Sequence, residues 1–274
     1  MSGQSAISAI LETDGIRVVF QPIFHVAGDV PSLCAYEALS RVPRDTHFER
    51  ADVLFDYVRL NHDEVRVDRH CLATAIAEGA ELTKSAFLTL NVHASTIERD
   101  AGLPRYMDDL CARYSVDPRH LIFELVEQSP FGEDRRLIPA LARFREMGIR
   151  IALDDVGLGY SNYQAILDVS PDFLKIDRYF VQNCATDRRR QVLLRSIVSL
   201  AADFGATVVA EGIERDAELA TVRSLGIAYG QGYLLGHPSK LERGSRPWLV
   251  NMKLNQCLIN KQRGTHVSKE DSAR

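Results

Sequence analysis

The chain has 274 residues, 46% of them hydrophobic and 26% charged, a balance that supports a buried core and excludes an intrinsically disordered chain. Its formal charge of -4 supplies no broad basic field, which argues against long nucleic acid or an anionic membrane surface as a partner. The length suits one eight-fold α/β barrel.

The opening segment, Met1 to Thr13, has no basic start followed by an apolar stretch, and no apolar run approaches the roughly 20 residues that span a bilayer. A cytoplasmic protein without a membrane segment is expected. Five cysteines (Cys34, Cys71, Cys111, Cys184 and Cys257) are scattered, with no Cys-x-x-Cys pair, and read as reduced thiols. The expected organisation is an N-terminal extension over residues 1–13, one barrel domain over 14–260 and a polar tail over 261–274.

Val18–Phe24 and Leu33–Ser40 read as the first two strands. The turn between them, with Gly28 and Asp29, is too short for a crossover helix, so they should pair antiparallel. Beyond them, strands at Phe87–Val92, Leu121–Val126, Arg150–Asp154, Phe173–Ile176, Thr207–Ala210 and Gly232–Leu235 alternate with helical patterns. The clearest helices are Asp63–Glu78, Arg135–Met147, Arg189–Phe204 and Asp216–Leu225, with apolar residues three and four apart. Gly148, Gly205 and Gly226 close helices just before new strands. The rhythm predicts an α/β fold, a TIM-like (β/α)8 barrel with an irregular antiparallel start.

In such barrels the functional groups collect at the C-terminal strand ends. Here those ends carry Glu37, Asn91, Glu124, the pair Asp154 and Asp155, Lys175, and Glu211, and Gln231 stands before the last predicted strand. One acid at a strand end is an ordinary cap; acids on several strands at one mouth repel one another unless a cation sits among them. An oxygen-only donor set favours magnesium or manganese. His25, His62, His70, His93, His120 and His237 lie at no ligand-like spacing, and Arg188, Arg189 and Arg190 read as a solvated helix face.

These residues sit in ordered runs: Phe20-Gln21-Pro22-Ile23; Tyr36-Glu37-Ala38-Leu39-Ser40-Arg41; Asn91; Glu124 with Glu127; Asp154-Asp155 with Gly157, Gly159, Tyr160 and Ser161; Leu174-Lys175-Ile176-Asp177-Arg178; Ala210-Glu211-Gly212-Ile213-Glu214; and Gly230-Gln231-Gly232-Tyr233. From about residue 14 to 245 the chain resembles the EAL-domain family of cyclic di-GMP phosphodiesterases. The resemblance implies hydrolysis of cyclic di-GMP to linear pGpG with two divalent cations, Mg2+ or Mn2+. It further implies that Glu37, Asn91, Glu124 and Asp154 hold one cation, with Asp154 shared and Asp155 serving the second. Lys175 would hold the attacking water, and Glu211 would act as a general base or as a further metal-side group. Gln21, Arg41 and Gln231 would face substrate, Arg41 through a phosphate oxygen. Glu127 would brace the loop after Asp155, and Glu214 would assist from the loop side; helix N-terminal charge is the plain alternative for both. A homodimer is implied, built on the region Asp155–Gln164.

Two departures stand out. Val156 and Leu158 replace the Phe and Thr usual in the family, and the stretch Pro43–Leu60 differs from the common one. Neither touches a matched ligand; they bear on rate and regulation. A non-catalytic cyclic di-GMP receptor of the same fold is the alternative, and the complete ligand set favours the enzyme. A barrel enzyme acting on some other phosphorylated metabolite would leave the ordered runs unexplained.

Overall fold

A computed structural model of the chain describes residues 7–8, 10–11, 15–42, 51–126, 136–157 and 163–241. The elements run β1 (Arg17–His25), β2 (Ser32–Arg41), α1 (Ala51–Leu60), α2 (Glu64–Gly79), β3 (Phe87–His93), α3 (Ala94–Arg99), α4 (Leu103–Tyr114), β4 (Leu121–Val126), α5 (Leu137–Glu146), β5 (Arg150–Val156), α6 (Tyr163–Val169), β6 (Phe173–Ile176), α7 (Arg178–Val181), α8 (Arg188–Asp203), β7 (Thr207–Ala210), α9 (Asp216–Ser224) and β8 (Tyr229–Gly230). The strands close into a barrel in sequence order. β1 is antiparallel to both β2 and β8, and the other neighbours are parallel, as the short opening turn requires. Gly148, Gly205 and Gly226 take positive φ angles of 91°, 71° and 81° at their helix ends, where a side chain would be strained.

Two apolar layers follow from strand alternation. Outward residues such as Leu88, Leu90, Phe123, Leu125, Ile151 and Leu153 pack under the helices. Inside the barrel, Ile23, Ala35, Ile122, Ala152, Phe173, Val209 and Tyr229 form a plug. Parallel strands covered on both faces need this double apolar lining. Near the N-terminus, Ile7 and Ile10 are buried with Leu54, Val58 and Val67 of α1 and α2. Among the described residues, Cys34, Cys71, Cys111 and Cys184 form no disulfide, and no helix is long and apolar enough to cross a membrane.

The last strand departs from expectation. Gly232–Leu235 is not a strand; β8 is Tyr229–Gly230. A Cβ on Gly232 would sit 2.1 Å from the Ile213 carbonyl oxygen, so backbone meets backbone there. The amides of Leu235 and Gly236 then turn back onto the Gly232 carbonyl at 3.0 and 2.9 Å, a helical turn in place of a ladder. Gln231 therefore follows the last strand rather than preceding it, and joins the other strand-end groups.

The polar tail over 261–274, Glu127, and the residues from Leu158 through Ser161 lie outside the described residues, as does half of the Asp155–Gln164 region.

Candidate active site

The site is one storey of the barrel. Each plug residue stands two positions from a polar one along the chain: Ile23 and Gln21, Ala35 and Glu37, Ile122 and Glu124, Ala152 and Asp154, and Phe173 and Lys175 within their strands, and Val209 and Glu211, and Tyr229 and Gln231, with the polar member just past the strand end. A strand's period of two turns both members of each pair inward, so an apolar floor carries a polar storey above it. Register levels the strands: Gln21 faces Glu37, Asn91 faces Glu124, and Ala210 faces Gly230, which brings Glu211 and Gln231 out side by side.

Lys175 is the hub. It is 2% exposed, and its Nζ lies 2.7 Å from Glu124 Oε2, 2.6 Å from Glu211 Oε1, 3.1 Å from Asp154 Oδ1 and 3.6 Å from Glu37 Oε1. Burial alone would favour the neutral amine; Asp154, Glu124, Glu211 and Glu37 together push its pKa well above the ordinary lysine value. The carboxylates respond unequally. Burial and the charge of Glu37 push Glu124 up to about 8 against the pull of Lys175. Burial raises Glu211 well above the usual carboxylate range, with Asp154 and Glu37 adding to it. For Glu37 burial is outweighed by Lys175 and by hydrogen bonds from Gln231 and Asn91, so it stays below that range.

An amide chain holds Glu37 in place. Gln231 Nε2 donates to Glu37 Oε2 at 2.6 Å and to Gln21 Oε1 at 3.0 Å, Gln21 Nε2 donates to the Gly236 carbonyl at 3.1 Å, and Asn91 Nδ2 reaches Glu37 Oε1 at 3.3 Å.

Asp155 breaks strand alternation. The β5–β6 register shifts between Leu153 and Val156, and Asp155 takes a left-handed φ of 51°, a conformation that Asp accepts more readily than most residues. Its carboxylate thereby joins that of Asp154 instead of pointing away. One carboxylate oxygen from each of Asp154, Asp155 and Glu211 lies within 4.8 Å of the others. Burial and Asp154 push Asp155 up to about 6.

Glu37, Glu124, Asp154, Asp155 and Glu211 thus set five carboxylates against the single ammonium of Lys175. Three of the five, Glu124, Asp155 and Glu211, have raised pKa values, pushed up first by burial and then by neighbouring carboxylates. The donors are all hard oxygens, with an amide oxygen available from Asn91. This donor set suits magnesium or manganese and does not suit a thiophilic metal.

The mouth opens into a cavity of about 230 Å3 lined by Gln21, Glu37, Asp154, Lys175, Glu211 and Gln231 together with Arg178, Glu214 and Tyr233. Glu214 accepts a hydrogen bond from Gln182 Nε2 at 3.2 Å, two residues before α9. Arg41 is set apart: it is exposed at the end of β2, with Nη1 on the neighbouring Ser40 carbonyl at 3.0 Å, and is not one of the described residues lining this cavity. Arg178 is, although sequence reasoning gives it no role. The signal was its place directly after Asp177, whose carboxylate caps α7 by accepting from the Tyr179 amide at 2.7 Å. Among the histidines, His93 serves structure: its Nδ1 lies 2.9 Å from Asp68 Oδ1, deep under β3.

A family model described as the EAL domain matches residues 4–238. The chain is 36% identical over 132 residues to a probable cyclic di-GMP phosphodiesterase, PdeA, of Escherichia coli strain K12, covering 48% of this chain and 18% of that protein. It is 32% identical over 159 residues to the cyclic di-GMP phosphodiesterase RocR of Pseudomonas aeruginosa, covering 58% of this chain and 40% of that protein. The chain therefore spans well under half the length of these curated relatives. Among solved structures, the PaMucR phosphodiesterase in complex with c-di-GMP superposes with a TM-score of 0.76 at 25% identity, over 88% of this chain and 98% of that one. BlrP1 of Klebsiella pneumoniae, with manganese and cyclic di-GMP, gives 0.72 at 25% identity over 82% and 56% of the two chains. With the match running over residues 4–238, the chain belongs to the EAL domain family.

Proposed function

We propose that this domain hydrolyses cyclic di-GMP to linear pGpG with the aid of two divalent cations, magnesium or manganese. The observation that carries the reading is the meeting of Asp154, Asp155 and Glu211 within 4.8 Å beside a buried Lys175. Relatives named as cyclic di-GMP phosphodiesterases, and complexes of similar structures with cyclic di-GMP, support the choice of substrate.

Glu37, Asn91, Glu124 and Asp154 would hold one cation, and Asp155 with Asp154 the other. The position of Glu211 in the aspartate cluster favours its metal-side role over that of a separate base. Bound cations supply Lewis acidity to the phosphate and offset negative charge on the attacking and leaving oxygens. Lys175 has three N–H donors and spends them on carboxylates in the metal-free site. With Glu124, Asp154 and Glu211 engaged elsewhere, an N–H of Lys175 would be available to donate to the attacking water and fix its position. Gln231 and Gln21 keep Glu37 in one rotamer and border the substrate cavity. The storey below is apolar and offers the polar groups no hydrogen-bond partners from beneath.

A homodimer is part of the reading. Tyr163 and Leu167, one turn apart on α6, are 75% and 63% exposed, an apolar pair suited to a partner surface. A single monomeric mass by light scattering at protein concentrations well above those of the assay would overturn that part.

The experiment is incubation of the purified protein with cyclic di-GMP and Mg2+ or Mn2+, with the product identified chromatographically and a chelator control. Formation of pGpG that stops with chelator is the expected result. Tight binding without any product would make the chain a receptor.

A further inference from the structure

We propose that Arg178 is a substrate-binding residue that takes the second phosphate of the cyclic dinucleotide, the one not being cleaved. This inference rests on the reading of the site as a cyclic di-GMP hydrolase. A cyclic dinucleotide carries two phosphodiester groups. One goes to the carboxylate and cation cluster; the other enters a mouth rich in acids and needs a cation of its own.

Among the described residues, two cationic side chains line the cavity, Lys175 and Arg178. Lys175 has four carboxylates within 3.6 Å and no charge to spare. Arg178 is exposed, and its guanidinium makes no ion pair or hydrogen bond among the described residues, although Glu211 and Glu214 line the same cavity. A free guanidinium beside acids it does not engage is available for an incoming anion. Its planar fork of N–H groups matches the two non-bridging oxygens of a phosphodiester.

The stem of Arg178 is also built into place. Gly212, at φ +67°, lies directly beneath it, and a Cβ there would stand 2.2 Å from Arg178 Cβ and 3.1 Å from its Cα. Glycine at 212 lets the start of α7 close over the Glu211 loop, and the Asp177 cap holds the backbone at that point. Arg178 therefore leaves the wall of the mouth from a fixed origin next to Glu211, with only its end free to move.

The test compares cyclic di-GMP with bis(4-nitrophenyl) phosphate, a diester with a single phosphate, in the wild type, R178A, R178Q and R178K. A charge-assisted bond made equally in ground and transition states raises KM with little change in kcat when removed. In R178A the KM for cyclic di-GMP should rise at least ~10-fold, with kcat held within ~3-fold. The ratio of kcat/KM for the dinucleotide over that for the single-phosphate diester should fall at least ~10-fold, with R178K recovering part of it. A wild-type KM in R178A, or equal losses on both substrates, overturns the assignment while leaving the hydrolase reading intact. If R178A does not fold, R178Q and R178K are judged by the same ratio. If the wild type neither binds nor cleaves cyclic di-GMP, the hydrolase reading fails and this inference falls with it.

Discussion

Asp154 and Asp155 are chain neighbours on a strand, yet both send a carboxylate oxygen to within 4.8 Å of Glu211. The left-handed turn at Asp155, with φ 51°, makes this possible, because a regular strand would aim the two side chains at opposite faces. The irregularity is local, sits beside the site, and concentrates negative charge at a position that gives no packing in return.

The first prediction follows. Asp155→Asn keeps a residue that tolerates left-handed backbone and removes one charge from the cluster. Its melting temperature in chelator should equal or exceed that of the wild type, since Asp155 is held up at about 6 by burial and by Asp154. Its Mn2+ affinity, read by calorimetry, should fall at least ~10-fold. Unchanged Mn2+ affinity would remove Asp155 from the ligand set.

A second prediction concerns pH. Glu124 at about 8 and Asp155 at about 6 are both raised, so the folded chain holds protons that the unfolded chain has already released. Their contribution is fully present below the unfolded carboxylate values and is lost as pH rises through about 6 and then about 8. Unfolding free energy in chelator, measured by urea titration, should therefore decline from pH 5.5 to pH 8.5. Cations compete with the same protons, so Mn2+ affinity should rise across that interval. A flat or rising stability curve in chelator would show that the carboxylates are not frustrated in the way described.

Lys175 supplies a third test. Removing one partner of a buried ionic cluster leaves uncompensated charge and typically costs ~3–5 kcal/mol. Lys175→Ala should thus melt well below the wild type in chelator and recover much of the gap when Mn2+ is added. Turnover should still fall at least ~100-fold with metal present, while cyclic di-GMP affinity stays within about tenfold, the pattern the proposed role of the ammonium on the attacking water requires. Wild-type melting in chelator would contradict the role of Lys175 as the hub.

Much of this is legible in the sequence. Acids on successive strand ends announce a charged mouth, and glycines after helical patterns announce the next strand; Gly148, Gly205 and Gly226 have the positive φ that this reading needs. The last strand shows where a local pattern misleads. Tyr233, Leu234 and Leu235 look like a short apolar strand, and only the close approach of Gly232 to Ile213 turns them into a helical turn. Arg178 escaped for another reason: its value depends on which cation already has partners, and pairing across a barrel mouth is not written in local spacing. The lysine hub is similar, since four carboxylates meet Lys175 from β2, β4, β5 and the end of β7.

The last prediction uses Glu37, where geometry separates a chemical role from a structural one. Its two oxygens receive Gln231 at 2.6 Å and Asn91 at 3.3 Å, with Lys175 Nζ at 3.6 Å. Glu37→Gln keeps the shape but turns one oxygen into an N–H2 that would face donors. The protein has a remedy within reach: Gln231 Oε1 is buried without a hydrogen-bond partner and can accept from the new amide. The fold should consequently survive, with a melting temperature in chelator close to the wild-type value. Removing Glu37 also removes one of the charges that raise Glu124, so metal-free stability should not fall for electrostatic reasons. Hydrolysis of cyclic di-GMP, by contrast, should drop at least ~100-fold, because an amide is a far weaker ligand for a hard cation than a carboxylate. Turnover with Mn2+ and melting with and without Mn2+ check both halves. Wild-type turnover would take Glu37 out of the cation site, and a collapsed melt with no recovery in Mn2+ would make it a structural acid.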